Sequence, residues 1–356
     1  MPKVAFVSDL HLGGYNTLGP DKVAYRAGIV QLLKYLRGQG ITHLTMPGDI
    51  LDSWTFPRTE VPLTYEQMLS HPDNAEIVAT LKEIAADPKI QLSYCWGNHD
   101  ASLPDDLFRT WFPATQMGDN FTLGFVWAEH GHRFDLFNAN EPLNLDPAKG
   151  HRPMGYYITR IHTQAKVEGK LKDFEAGLNS SAYIRSKVEQ AIEEMHPKDR
   201  GFGWTVAGIV LDYVVSDAGI KYTDTITMPD GSTVTVQQVA DAYKNIFSEW
   251  QAKYGLMSAL NAVLNSMDHL DISAQSIRAE HGKRLVVLGH SHIAKWNALT
   301  VGPGVEGAYV NDGALCKWPQ TAVIVDYLPK SYQVTRLGFD DAGQMSSEVK
   351  EIGNVW

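Results

Sequence analysis

The hydrophobic pattern along the chain repeats one move: a short apolar run, then at once a cluster of His, Asp or Asn. Val4-Ala5-Phe6-Val7 is a compact apolar strand that runs into Ser8-Asp9-Leu10-His11-Leu12-Gly13-Gly14. Ile41 to Met46, bounded by Gly40 and Gly48, reads as a second strand and leads to Gly48-Asp49-Ile50-Leu51-Asp52. Between them, Ala27 to Leu36 places Ile29, Leu32, Leu33 and Leu36 at helical spacing, with Gly38 and Gly40 as stops. Asn74 to Ala86 repeats that helical pattern through Ile77, Leu81 and Ile84. Ile90 to Trp96 is the next strand, ending in Gly97-Asn98-His99-Asp100, and Phe121 to Ala128 is another, ending in His130-Gly131-His132. This alternation predicts an α/β fold whose sheet is largely parallel, with helices on its faces.

From about Glu141 to Lys283 the period changes. Ser181 to Met195, Thr205 to Val215, Val236 to Tyr254 and Leu256 to Ala279 carry apolar residues at three- and four-residue steps, so the interval reads as mainly helical. Within it, Thr225 to Thr235 predicts a small hairpin turning at Asp230-Gly231. The strand-end pattern resumes with Arg284 to Leu288 and Gly289-His290-Ser291-His292. Tyr309-Val310-Asn311-Asp312-Gly313, Thr321 to Tyr327 and Tyr332 to Leu337 supply closing strands. The expected organisation is a catalytic domain over 1–140 and 284–356, interrupted by a mainly helical insertion over 141–283.

Composition narrows the class. A chain of 356 residues, 44% hydrophobic and 20% charged, without repeats or low-complexity tracts, is a globular protein with a large core. A formal charge of -10 argues against a surface built mainly to grip nucleic acid. Cys95 and Cys316 are the two cysteines, and their spacing fits neither a zinc site nor a disulfide framework, which points to a reducing compartment. The chain enters a strand by Val4, leaving no room for a cleavable signal sequence. Its most apolar later run, Trp204 to Val215, contains Asp212 and is too short to cross a bilayer. A cytoplasmic protein without a transmembrane segment is expected.

The strand-end clusters carry the chemistry. Asp9 and His11, two residues apart in an extended segment, point to the same side. Asp49 follows the carboxyl end of its strand, where open α/β sheets place their binding crevice. Each cluster by itself is more often a turn, a cap or a core hydrogen bond. Their recurrence after five strands points to one shared site. Carboxylate, imidazole and amide donors together suit manganese, iron, zinc, cobalt or nickel better than calcium. A bridging carboxylate lets two such ions lie about 3.5–4 Å apart.

The five clusters SDLH, GD, GNHD, HGH and GHSH, in this order and each after a strand, resemble the calcineurin-like metallophosphoesterase superfamily over roughly residues 1–140 and 284–340. The resemblance implies layered β-sheets flanked by helices and a dinuclear metal centre. One ion is expected on Asp9, His11, Asp49 and His292, the other on Asp49, Asn98, His130 and His290, with manganese the ion expected to serve in vitro. The implied activity is hydrolysis of a phosphate ester by a metal-activated water, as a phosphodiesterase, pyrophosphatase or phosphomonoesterase. His99 is the expected proton donor to the leaving oxygen, with Asp100 orienting its ring. Asp52 is expected to brace a ligand histidine or its loop. His132 either touches substrate or makes a structural hydrogen bond.

Gly48-Asp49-Ile50-Leu51-Asp52 lacks the following Arg-Gly of protein serine/threonine phosphatases. Leu12-Gly13, Asp52-x-Trp54 and a helical insertion between HGH and GHSH are similar to the UDP-2,3-diacylglucosamine diphosphatase group. That group carries Arg where His99 stands and a shorter insertion, so its lipid specificity does not carry over. A phosphorylated small molecule or lipid-linked substrate is expected. One alternative is a nuclease like the double-strand-break-repair branch, which shares SDLHLG, GD and GNHD but carries its accessory domain after the last motif. Another is a degenerate binding module, whose signature would be missing ligands; none is missing. The insertion is expected to cap the metal site. Its first part offers Arg152, Arg160 and Lys166 to a phosphorylated substrate, against the plainer alternative of a solvated helix face.

Overall fold

The computed structural model describes residues 1–170, 202–265, 270–300 and 306–353; the helix expected over Ser181 to Met195 lies outside these. The described strands, in chain order, are β1 Lys3–Phe6, β2 His43–Pro47, β3 Gln91–Cys95, β4 Gln116–Gly118, β5 Phe121–Leu123, β6 Val126–Glu129, β7 Thr225–Thr227 and β8 Thr233–Thr235. They continue with β9 Leu285–Leu288, β10 Lys295–Thr300, β11 Glu306–Asn311, β12 Gln320–Tyr327, β13 Ser331–Phe339 and β14 Met345–Gly353. The chain divides into two compact units. The first comprises Met1–Asp52, Thr64–His132 and Leu270–Trp356, and the second Ser53–Leu63 and Arg133–His269. These bounds differ from the expected 141–283 insertion. The helix Leu270–His281 buries Leu270, Ala274 and Ile277 within the first unit and packs on β9.

The first unit holds two sheets. One has the order β14-β13-β12-β1-β2-β3-β4, in which β1 to β4 run parallel and β12, β13 and β14 add antiparallel neighbours. The other has the order β10-β11-β9-β6-β5, with β11, β9 and β6 parallel. Alternate residues of both sheets form one core: Val4 and Phe6, Val126 and Ala128, Leu285 and Val287, Ala308 and Val310, Val323 and Val325. Period-two alternation puts each pair on the same face, and burying a Val or Leu side chain there stabilises by about 1.5–3 kcal/mol. The helices Val23–Gly38 and Ala75–Ala85 bury the apolar stripes read from the sequence and pack on each other.

The second unit is mainly helical. Its helices Met154–Val167, Phe202–Asp217, Val236–Tyr243, Ile246–Tyr254 and Leu256–Asn265 enclose a core that includes Ile158, Ile161, Leu211, Val214, Phe247 and Trp250. β7 and β8 form the expected hairpin, with Gly231 at φ 81° in its turn. No described helix is long and apolar enough to cross a membrane.

Some elements differ from the hydrophobic reading. Phe121 to Ala128 is an antiparallel hairpin rather than one strand, because Leu123 pairs with Val126 around Gly124 at φ 53°. Val236 to Tyr254 is two helices that part at Lys244 and Asn245. β14 reads Met-Ser-Ser-Glu-Val-Lys-Glu-Ile-Gly and Val349 is half exposed, so an apolar alternation was not there to find.

Candidate metal centre

Every strand-end cluster falls in the first unit, just past the carboxyl end of β1, β2, β3, β6 or β9. The loops after β1 and β2 extend their parallel pairing: Asp9 N–H donates to Gly48 O, His11 N–H to Asp49 O and Leu12 N–H to Ile50 O, each at 2.9–3.1 Å. This holds Asp9, His11 and Asp49 side by side at less than 2% exposure. The backbone there is strained. Asp9, His11, Asp49, His290 and His292 all have φ between 50° and 70°, a left-handed conformation that costs a side-chain-bearing residue of the order of 1–2 kcal/mol. Among the described non-glycine residues only Ala114 and Asn144 share it. Close approach adds a glycine requirement, since a Cβ at Gly97 would lie 2.0 Å from Asp49 Oδ1 and one at Gly289 2.4 Å from Ser8 Oγ.

Hydrogen bonds fix how the imidazoles face. His130 Nδ1 lies 2.8 Å from the carbonyl of Pro47, so that nitrogen carries the proton. Its Nε2 then meets two oxygens, Asp49 Oδ2 at 3.1 Å and Asn98 Oδ1 at 3.0 Å. His11 Nδ1 donates to Asp52 Oδ2 at 2.9 Å, and its Nε2 faces His292 Nε2 at 3.1 Å. His292 Nε2 is also 3.0 Å from Asp9 Oδ1. Lone pairs brought this close repel unless a proton or a cation lies among them. The donor set therefore fits divalent metal ions, which take imidazole nitrogen, carboxylate and amide oxygen in just this mixture. Asp9, His11 and Asp49 form one group able to hold an ion, and Asp49, His130 and His290 another, with Asp49 common to both.

Charge accounting gives the same picture. Burial pushes the Asp9 and Asp52 carboxyls up, but neighbouring imidazoles outweigh it and hold both well below the usual range: His292 and His130 for Asp9, His99 and His11 for Asp52. Burial also raises Asp49, and His130 and His99 bring it below normal. Burial lowers His130, yet Asp49 and Asp9 push it up to about 9. Buried carboxylates that stay charged beside imidazoles are prepared for cations.

His99 stands beside these groups. Its backbone N–H donates to Asp49 Oδ1 at 2.9 Å, its Nδ1 lies 2.8 Å from Asp52 Oδ1, and its Nε2 is 3.9 Å from Asp49 Oδ2. Asp52 therefore holds two rings at once, His11 and His99. Asp100, expected to orient His99, does other work. Its carboxylate accepts the backbone N–H groups of Ile50, Leu51 and Gly97 at 2.7–3.2 Å, tying the β2 loop to the β3 loop. Burial and the nearby Asp49 raise it to about 6. The His132 ring lies 5.5 Å from that of His130 and 6.5 Å from that of His290.

The expected basic residues fall in the second unit. Arg160 is fully buried, with its guanidinium spent on the carbonyls of Phe56, Pro57 and Glu60 and the Tyr156 hydroxyl. It is a structural clamp and not a substrate contact. Arg152 donates to Pro147 O and His151 O, and Lys166 is exposed. Sequence reasoning missed Ser8, which bridges the carboxylates of Asp9 and Asp312, and Asn311, which donates to Gly289 O at 2.6 Å and anchors the β9 loop. The polar Asn311-Asp312-Gly313 run at the end of β11 was the signal, of the same kind as the five clusters.

Residues 2–186, just over half of the chain, match the family described as calcineurin-like phosphoesterase. The chain belongs to that family. A search of curated proteins gives no match. Among solved structures it is similar to a dimetal phosphatase from Danio rerio, at 10% identity over 99% of each chain and a TM-score of 0.39. A Vps29 single mutant from Entamoeba histolytica gives 9% over 99% of each chain and 0.36. The nuclease MPE from Pseudomonas putida gives 18% over 36% of this chain and 53% of that chain, with 0.26.

Proposed function

We propose that the protein is a hydrolase of phosphate esters or anhydrides that works with two divalent metal ions. The carrying observation is the convergence of Asp9, His11, Asp49, Asn98, His130, His290 and His292 at the carboxyl ends of five strands, with a shared Asp49 and with His99 alongside. In this reading Asp9, His11, Asp49 and His292 hold one ion, and Asp49, Asn98, His130 and His290 the other. Bound there, the ions supply Lewis-acid polarisation of a phosphoryl group and acidify water.

The chain's own residues do the rest. Asp52 Oδ1 takes the Nδ1–H of His99, so Nε2 is the atom that hands a proton to the leaving oxygen. The backbone bond from His99 to Asp49 keeps that nitrogen beside the shared carboxylate. Asp52 Oδ2 simultaneously sets His11 so that its Nε2 faces the metal-binding groups. Phosphorylated small molecules and lipid-linked phosphates are the substrates of this reading. A cytoplasmic setting accords with two buried free cysteines.

The test is a panel of phosphomonoesters, phosphodiesters and nucleoside diphosphate derivatives, assayed with manganese, zinc, cobalt or nickel and after chelation. Manganese-supported hydrolysis that chelation abolishes is expected. Full activity in a demonstrably metal-free sample would sink the reading. A protein that binds two ions yet turns over nothing in the panel points instead to a binding module.

A further inference from the structure

Three described histidines of the centre have a visible brace on the nitrogen turned away from the metal-binding groups, and one brace is of a different element. His11 Nδ1 meets the Asp52 carboxylate and His130 Nδ1 meets the Pro47 carbonyl, both at ordinary oxygen distances. His292 Nδ1 meets the Sγ of Cys316 at 3.9 Å. His292 has its Nε2 towards Asp9 Oδ1 and His11 Nε2, so Nε2 is the nitrogen available to an ion and Nδ1 is the one left with a proton. In that tautomer the Cys316 sulfur is placed to accept. A sulfur that donated instead would force the proton onto Nε2, among the metal-binding groups.

Cys316 is also held firmly enough to serve. Its backbone N–H and that of Leu315 both donate to the carbonyl of Asp9, at 3.0 and 3.2 Å. The same loop is pinned by Ala314 N–H to Thr321 Oγ1 and Thr321 N–H to Ala314 O, both at 3.1 Å. Cys316 is 7% exposed. Its neighbour set includes both imidazoles, since Cys316, His11 and His292 offer ligating atoms within 4.8 Å of one another.

We infer that Cys316 is a positioning residue for the metal centre: its sulfur accepts the Nδ1–H of His292 and thereby keeps Nε2 directed at the Asp9 side. The inference rests on the dinuclear reading above and adds to it an unequal pair of half-sites. The ion on Asp9, His11 and His292 depends on a sulfur acceptor, which is weaker and longer than the oxygen acceptors elsewhere.

The experiment compares wild type, Cys316→Ser and Cys316→Val in metal titrations followed by competition with a coloured chelator. Serine keeps an acceptor, whereas valine keeps the bulk and removes it. The expected result is two binding constants in wild type, of which one weakens by about 10–100-fold in Cys316→Val, the usual loss when such a brace is removed, and largely recovers in Cys316→Ser. Wild-type constants in Cys316→Val, or equal weakening by valine and serine, overturn the inference. A second readout needs no variant: in zinc-loaded, histidine-labelled protein, His292 gives a slowly exchanging side-chain N–H signal at Nδ1, and its absence also overturns the inference. Wild type that binds no metal removes the dinuclear reading together with this one. Metal binding that ignores Cys316→Val removes this one only.

Discussion

In the second unit, Arg160 is fully buried and its guanidinium meets oxygen at every turn: Phe56 O at 2.9 Å, Tyr156 Oη at 2.6 Å, Pro57 O at 2.8 Å and Glu60 O at 2.5 Å. In the first unit, His130 is as deeply buried, but only its Nδ1 finds a simple acceptor, and its Nε2 confronts Asp49 and Asn98. Both are buried polar groups, yet they differ in how their valences are spent. Saturated polarity, as around Arg160, ties backbone segments together. Lone pairs turned toward one another, as around Asp49, are costly unless a proton or a cation lies among them. Backbone strain gathers at the same place: Asp9, His11, Asp49, His290 and His292 are five of the seven described non-glycine residues with positive φ.

The most severe way to break this contrast is to remove the shared carboxylate. Asp49→Ala is expected to abolish turnover and lower occupancy of both ions, measured by elemental analysis alongside activity, because it takes a ligand from each. Retention of both ions would show that Asp49 does not join the two groups. Next in size, His99→Ala or His99→Asn is expected to lower turnover by about 10²–10⁴-fold with two ions still bound. The loss should shrink for nitrophenolate leaving groups, which need no proton. An equal loss with alkoxide leaving groups would argue that His99 positions phosphate instead.

Much of the first unit was legible because five of its strands, β1, β2, β3, β6 and β9, are short, largely buried runs that each end abruptly in a cluster of His, Asp or Asn, and the recurrence is what a lone turn or cap does not explain. The glycines helped too: Gly97 and Gly289 leave room where Asp49 and Ser8 press on the backbone. Roles inside the site were less legible. Asp52 and Asp100 are both aspartates near the motif residues, and only the folded backbone shows that Asp52 reaches two imidazoles while Asp100 is consumed by three peptide N–H groups. Arg160 looked like its exposed neighbour Lys166, since a charge on a helix does not reveal which carbonyls surround it. Cys316 had no motif at all.

A smaller test acts on the second unit. Arg160→Met keeps the stem but strands the carbonyls of Phe56, Pro57 and Glu60, and leaving several buried acceptors unpaired costs roughly 3–5 kcal/mol. Urea unfolding is expected to show that loss, with metal affinity of the first unit unchanged. Loss of metal binding in a folded Arg160→Met protein would erase the separation between saturated scaffold and open site.

The smallest effect expected is one of pH, and it also lies in the second unit. His162, on the helix Met154–Val167, is fully buried, and burial pushes its pKa down to about 4 from an ordinary 6.5. Between those values the unfolded chain binds a proton that the folded chain refuses. Stability is therefore complete above about pH 6.5, falls as pH drops toward 4, and levels off below it. Going from pH 7 to pH 5, this single group removes about 2 kcal/mol. Other groups titrate in the same window with the opposite sign, His130 among them, because Asp49 and Asp9 raise its pKa to about 9 despite burial. The quantity to measure is therefore a difference: denaturant stability of wild type minus that of His162→Leu, at both pH values. Wild type is expected to lose about 2 kcal/mol relative to the variant on acidification. A difference that stays constant from pH 7 to pH 5 would mean that His162 accepts a proton in the folded state, and that the second unit, too, contains polarity left open.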